Sequence, residues 1–169
     1  GAEGIAVGMS TRILPHNVRE VIEALQANLR GEHIQLFPDF PTAGLMDVSE
    51  YADGQGKVLV RAHLDTSDEK RIVIREIPYG TTTESLIASI EAAAKRGKIK
   101  IAQINDYTSE HVEIEIKLPR GVYTQDVVDG LFAFTDCEQS ISVNLLVIDR
   151  EKPRLMTVTE VIAHHAKRL

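Results

Sequence analysis

The sequence predicts an α+β fold, a mixed α/β chain built on a mostly antiparallel β-sheet flanked by helices. Three observations carry that expectation: segments with period-2 alternation, segments with apolar residues at helical spacing behind recognisable caps, and their interleaving without a Gly-x-Gly-x-x-Gly nucleotide fingerprint. At 169 residues, 43% hydrophobic and 26% charged, the chain can bury the core of one compact domain. No stretch approaches the ~18 consecutive apolar residues of a membrane span, and the N-terminus lacks the basic region of a signal peptide. A cytoplasmic protein without a membrane partner is expected. The single cysteine, Cys137, excludes an internal disulfide and a cysteine-rich zinc site, and reads as a small buried hydrophobe.

The chain opens on the glycine-punctuated stretch Gly4-Ile5-Ala6-Val7-Gly8-Met9 and runs through Ser10-Thr11-Arg12-Ile13-Leu14 to Pro15-His16-Asn17. A proline pushes the residue before it out of the helical region, so extended backbone is expected through Arg12, Ile13 and Leu14, with a helix only after Pro15. Asn17 is a fitting cap for that helix, whose apolar positions are Val18, Val21, Ile22, Leu25 and Leu29, with Gly31 beyond its end. The region from Pro38 to Gly56 reads as an ordered loop with a short strand near Leu45. Val58, Val60, Ala62 and Leu64 then alternate with Leu59, Arg61, His63 and Asp65, and Ile72 to Ile77 follows the Ser67–Lys70 turn, so the two runs predict a hairpin.

Thr81-Thr82-Thr83-Glu84 has the form of a capping box closed by the glutamate, ahead of a helix with an apolar stripe of Leu86, Ile87, Ile90, Ala93 and Ala94 that Gly97 ends. Strands are expected at Ile101 to Ile104 and Val112 to Leu118, a helix from about Thr124 carrying Val127, Val128, Leu131 and Phe132, and a buried strand from Ile141 to Ile148. A second capping box, Thr157-Val158-Thr159-Glu160, opens a helix whose apolar pattern of Val158, Val161, Ile162, His165, Ala166 and Leu169 meets no stop signal. That helix is expected to continue past Leu169.

The chemistry in the sequence is sparse. His164 and His165 are adjacent rather than at the i, i+4 spacing that lets two histidines share zinc, and His63 with Asp65 supplies only two ligands on one strand face. A nucleophile elbow, a phosphate loop and an acidic Asp-x-Asp metal cluster are all absent, so no catalytic or metal-binding residue is assigned. The net charge of −6 disfavours strong duplex binding by the isolated chain. Charge is segregated, however: Glu32, Asp39, Asp47, Glu50 and Asp53 occupy a stretch free of lysine and arginine, whereas Lys95, Arg96, Lys98 and Lys100 crowd one helix end. Ile13 beside Arg12 on a pre-proline turn has the chemistry of an apolar wedge flanked by cations, the device that kinks duplex DNA from the minor groove. Ile13 and Leu14 serve equally as the hydrophobic staple that leads into the helix after Asn17.

The string from Glu3 to Asn17, then Pro38-Asp39-Phe40-Pro41-Thr42, Gly54-Gln55-Gly56-Lys57-Val58 and Glu76-Ile77-Pro78-Tyr79, in that order, resembles the A subunit of bacterial type IIA DNA topoisomerases. The tract from Gly80 to Leu86 and Phe134-Thr135-Asp136-Cys137-Glu138 are more similar to topoisomerase IV than to DNA gyrase. The resemblance implies an internal fragment: residues 1–156 as the tower domain that follows the winged helix, and 157–169 as the beginning of the coiled-coil helix toward the C-terminal dimer gate. The DNA-cleaving tyrosine of that family follows an arginine, and none of Tyr51, Tyr79, Tyr107 or Tyr123 does, so it would lie outside this chain and the isolated chain would be inactive.

What the resemblance further implies is ATP-dependent passage of one duplex through another by an A2B2 heterotetramer, in the nucleoid. The partners would be duplex DNA, a second copy of the A subunit, which forms the homodimer, and the B subunit; this chain would bind no cofactor, with Mg2+ and ATP held through the B subunit. Carried over by position, the resemblance places the intercalating isoleucine at Ile13, flanked by Arg12 and His16, with Lys57 and Arg61 as further phosphate contacts. The family often has proline where Leu14 stands and arginine where Gln55 stands, which puts a DNA contact at Gln55 in doubt. The competing expectation is a self-standing α/β interaction module that binds through its acidic Gly31–Gly56 loop, with Ile13 in the core.

Overall fold

The computed structural model describes residues 1–41 and 44–168. Thr42, in the Pro38–Thr42 motif, and Leu169, the last apolar position of the terminal pattern, lie outside the described residues. In chain order the elements are β1 (Ala2–Ala6), β2 (Met9–Ile13), α1 (Val18–Leu29), β3 (Leu45–Asp47), a 3-10 turn (Ala52–Gly54), β4 (Lys57–Arg61), β5 (His63–Asp65) and β6 (Arg71–Glu76). They continue with α2 (Thr83–Lys95), β7 (Gln103–Asp106), β8 (Ile114–Lys117), α3 (Thr124–Phe134), β9 (Glu138–Ser142), β10 (Leu146–Asp149), β11 (Lys152–Leu155) and α4 (Val158–Ala166). The registered strand pairs run antiparallel, as an α+β fold requires.

The chain forms two compact units, one of Gly1–Pro41, Asp47–Val58 and Ser140–Leu169, the other of Thr42–Met46 and Leu59–Gln139. A further sheet has three strands in the order β3-β4-β9.

In the second unit, a four-stranded sheet ordered β5-β6-β8-β7 carries the core. Ile72 lies opposite Ile116 and Ile74 opposite Ile114, so period-2 alternation puts these side chains on one face. They are buried with Leu86 and Ile90 of α2 and Val127 and Leu131 of α3. Each such side chain contributes roughly 1.5–3 kcal/mol when fully buried. On β8, between Ile114 and Ile116, Glu115 accepts hydrogen bonds from Arg71 at 2.7 Å and Asn105 at 3.2 Å, which offsets the cost of its own desolvation. Cys137 is fully buried, and burial pushes its thiol up to about 11.

Three sequence expectations change here. The alternation from Val58 to Asp65 is not one strand: it breaks at Ala62, whose N–H donates to the Cys137 carbonyl at 2.7 Å, and only β5 pairs with β6, across a bulge between His63 and Leu64. The helix α2 is capped by Thr82 with Ser85 rather than Glu84, since the Thr82 hydroxyl accepts from the Ser85 N–H at 3.1 Å and the Ser85 hydroxyl accepts from the Thr82 N–H at 3.2 Å. The run from Ile141 to Ile148 divides into β9 and β10, and β10 pairs with an unexpected strand, β11, through a turn at Arg150 and Glu151.

In the first unit, α1 begins where Asn17 Oδ1 accepts from the N–H groups of Arg19 and Glu20 at 3.0 and 3.4 Å. It packs on α4, and Ala24 and Ala27 are among its buried residues, small enough for close helix contact. The capping box of α4 is formed as expected, with Glu160 N–H to Thr157 Oγ1 and Thr157 N–H to Glu160 Oε2 both at 3.1 Å. Among the described residues, no helix is long and apolar enough to cross a membrane.

Candidate nucleic-acid interface

The glycine-punctuated opening folds as a β-hairpin, which the sequence reading did not anticipate beyond its extended second half. Ala6 pairs with Met9, leaving Val7 and Gly8 as a two-residue turn, and Gly8 has φ +73, a left-handed conformation that costs glycine little. All of β1 is exposed. Ile5 is 88% exposed and Val7 101% exposed, so the ribbon presents an apolar tip to solvent.

The base of the ribbon is fastened to Asn144. Arg12 N–H donates to the Asn144 carbonyl at 2.8 Å and Asn144 N–H donates back to the Arg12 carbonyl at 3.1 Å. Thr11 Oγ1 donates to the same Asn144 carbonyl at 3.2 Å and accepts from Leu146 N–H at 3.1 Å, while the Asn144 side chain donates to the Ser10 carbonyl. No local signal in the sequence links Thr11 to Asn144, because the contact spans most of the chain.

Of the residues expected to meet DNA, Ile13 ends β2 opposite Ala2 and is half-buried, and the next residue, Leu14, is buried at 2% exposure. Arg12 lies directly across the ribbon from Glu3 and forms an ion pair with it. His16 is half-buried between two partners. The Leu14 carbonyl can only accept, so His16 Nδ1 donates to it at 2.8 Å, and Nε2 is left to accept the Tyr51 hydroxyl at 3.0 Å. Desolvation by burial lowers the His16 pKa below its ordinary value, favouring this neutral form. Burial, with the nearby Asp53 charge, pushes the Tyr51 hydroxyl up to about 12.

Lys57 pairs with Glu50 at 2.9 Å. The turn that joins these residues needs its glycines: Gly54 has φ +92, and a Cβ on Gly56 would stand 1.9 Å from the Glu50 carbonyl oxygen. His16 and Lys57 are thus both anchored to the Glu50–Tyr51 segment. Arg61 belongs to the second unit, where it pairs with Glu138 at 2.5 Å and lies 4.5 Å over the Phe132 ring. Each of the expected phosphate-binding cations Arg12, Lys57 and Arg61 therefore already faces a carboxylate. Lys95, Arg96, Lys98 and Lys100 are exposed and without ion-pair partners among the described residues.

Of the pair considered for metal binding, Asp65 accepts from Ser67 and pairs with Arg75 at 3.6 Å. Among the described residues, no three histidine, cysteine or acidic side chains are placed to hold one ion.

The whole chain, residues 1–169, matches the family model that describes the A subunit of DNA gyrase/topoisomerase IV. It is 54% identical over 169 residues to the A subunit of DNA topoisomerase 4 from Borreliella burgdorferi, covering 100% of this chain and 27% of that protein. It is 33% identical to the DNA gyrase A subunit of Brachyspira hyodysenteriae, covering 97% of this chain and 22% of the relative, and 37% identical to that of Thermotoga maritima, covering 94% and 22%. The chain thus spans about a quarter of the length of these relatives. With the matched model running from the exposed hairpin through α4, this chain belongs to the family of DNA gyrase/topoisomerase IV A subunits.

Proposed function

We propose that this chain is the tower region of a type IIA topoisomerase A subunit, with α4 opening its coiled coil, and that it supports and bends the duplex that the enzyme cleaves. The observation that carries the reading is the apolar tip of the β1–β2 hairpin, exposed at Ile5 and Val7 on a base fastened by Asn144. Unstacking a base step costs a few kcal/mol, which is offset when bent DNA meets more of the protein surface. A wedge that recoiled would lose that gain, and the Thr11–Asn144 bonds resist recoil. In this reading Ile13 and Arg12 stand at the ribbon's base, and the side chains free to enter a base step are Ile5 and Val7. Arg12, Lys57 and Arg61 would exchange carboxylate partners for phosphates, and His16 would fix the path between strand and helix.

The bond-breaking tyrosine lies outside this chain in this reading, and Mg2+ and ATP belong to a B subunit. Two A and two B subunits would complete the enzyme. The test is to capture the native polypeptide that carries these residues, identify its peptides, and trap it on cleaved plasmid together with ATP and a B subunit. A longer polypeptide linked to DNA through an arginine-tyrosine peptide N-terminal to Gly1 is expected. A polypeptide with no such peptide and no DNA linkage would overturn the reading in favour of an interaction module.

A further inference from the structure

We infer that the groove between the first two turns of α1 and the segment of residues 33–39 takes a basic protein segment in extended conformation, added as a strand along an edge that has no neighbour. The groove has a volume of about 560 Å3 and lies within the first unit. Glu20 and Glu23, three residues apart and so on one face of α1, stand on one side, and Ile34, Gln35, Phe37 and Asp39 on the other. No lysine or arginine lines it. Glu20, Glu23 and Asp39 have no ion-pair partner among the described residues, and Asp39 accepts only a hydrogen bond from the Asn17 side-chain amide at 3.2 Å. Among the described residues no three acidic side chains are placed to hold one ion, so the carboxylates are spread along the groove rather than gathered about a metal.

The backbone adds an independent observation. Gln35, Phe37 and Asp39 are exposed while Leu36, Pro38 and Phe40 are buried, the alternation of a strand, and Pro38 and Pro41 keep the residues before them out of the helical region. The segment is pinned at both ends, where Glu32 N–H donates to the Ala27 carbonyl at 2.9 Å and Asp39 N–H to the Pro15 carbonyl at 2.8 Å. Between these two bonds, residues 33–38 have no backbone hydrogen-bond partner among the described residues. A fixed row of free N–H and C=O groups is what an added strand pairs with. Ile34 and Phe37, 44% and 38% exposed, offer apolar contacts to its side chains, and the Phe37 ring is steadied by the Tyr51 ring at 6.1 Å. Charge selects the occupant: three carboxylates without a cation repel phosphates and attract lysine or arginine, so a basic segment fits and a duplex does not.

The groove is independent of the hairpin on which the DNA-bending reading rests. Its test is a heteronuclear NMR titration of the isotope-labelled full chain with the peptide Lys-Val-Lys-Phe-Lys-Val-Lys. Saturating shifts at the amides of Ile34, Gln35, Leu36 and Phe37 and of Glu20 and Glu23 are expected, and their absence at millimolar peptide would overturn the proposal. The same peptide N-methylated on alternate residues, in either register, keeps its charge but loses the donors of one edge. At least one of the two methylated forms is expected to leave these amides in place, and equal shifts with both would overturn strand addition. A peptide with glutamate in place of each lysine is expected to shift nothing, and equal shifts with it would overturn the basic occupant. Glu20→Gln with Glu23→Gln, in a chain whose amide spectrum remains that of the folded protein, is expected to weaken binding about tenfold, and an unchanged affinity would overturn the role of the carboxylates. Shifts at the same amides on concentrating the chain alone would overturn the proposal in favour of a second copy, and shifts there with a short duplex would overturn it in favour of nucleic acid.

Discussion

Ile5 and Val7 are exposed on a ribbon tip, so truncating them removes apolar area from solvent rather than from a core. Ile5→Ala with Val7→Ala is expected to change stability by no more than about 0.5 kcal/mol, read by denaturant melting. Ile13→Ala, at a half-buried strand end, should cost about 1–2 kcal/mol, less than the 2–5 kcal/mol of a fully buried isoleucine. His16 gives a pH signature. Its pKa is lowered by burial, so the unfolded chain binds the proton more readily than the folded one. Its stabilisation is complete above the ordinary histidine value of 6.5 and is lost as pH falls below it. Tyr51 has the opposite sign: raised from 10.0 to about 12, it stabilises fully below pH 10.0 and loses that contribution as pH climbs toward about 12. Thermal melts of the wild type against His16→Phe should differ in slope on the acid side, and parallel curves would refute the neutral His16–Tyr51 pair.

The elements differ in how far the sequence reveals them. Helices α1 and α4 are legible because their caps are local: Asn17 with Arg19 and Glu20, and Thr157 with Glu160, act within one turn. The β1–β2 hairpin is not. Its first strand, Ala-Glu-Gly-Ile-Ala, has weak strand preference, and what fixes its base is Asn144, far along the chain. For the same reason the break at Ala62 has no local signal, since period-2 alternation continues across it while the Ala62 N–H bonds to the distant Cys137 carbonyl. Thr11→Val should cost about 1–2 kcal/mol by leaving Leu146 N–H without its acceptor, and should speed amide exchange in Ile5 to Met9. Gly56→Ala should cost about 3 kcal/mol or more, because the new Cβ meets backbone rather than a movable side chain. A melting temperature within a degree or two of wild type would contradict that packing.

For the whole molecule, ordered motifs along the chain were enough to reach the family, which the match over residues 1–169 establishes. The site was only partly legible. The sequence shows which residues are cationic but not which are already neutralised, and Arg12, Lys57 and Arg61 all carry carboxylate partners. With a net charge of −6, the chain should bind duplex weakly and lose affinity steeply with salt. The measurement that tests the central claim most directly is energy transfer between dyes at the two ends of a short duplex, titrated with wild type, Ile5→Ala/Val7→Ala and Ile13→Ala. The account predicts bending by wild type and by Ile13→Ala at temperatures where it remains folded, and loss of bending by the folded double variant. Equal bending by the double variant would show that the hairpin tip is not the wedge and would contradict the account.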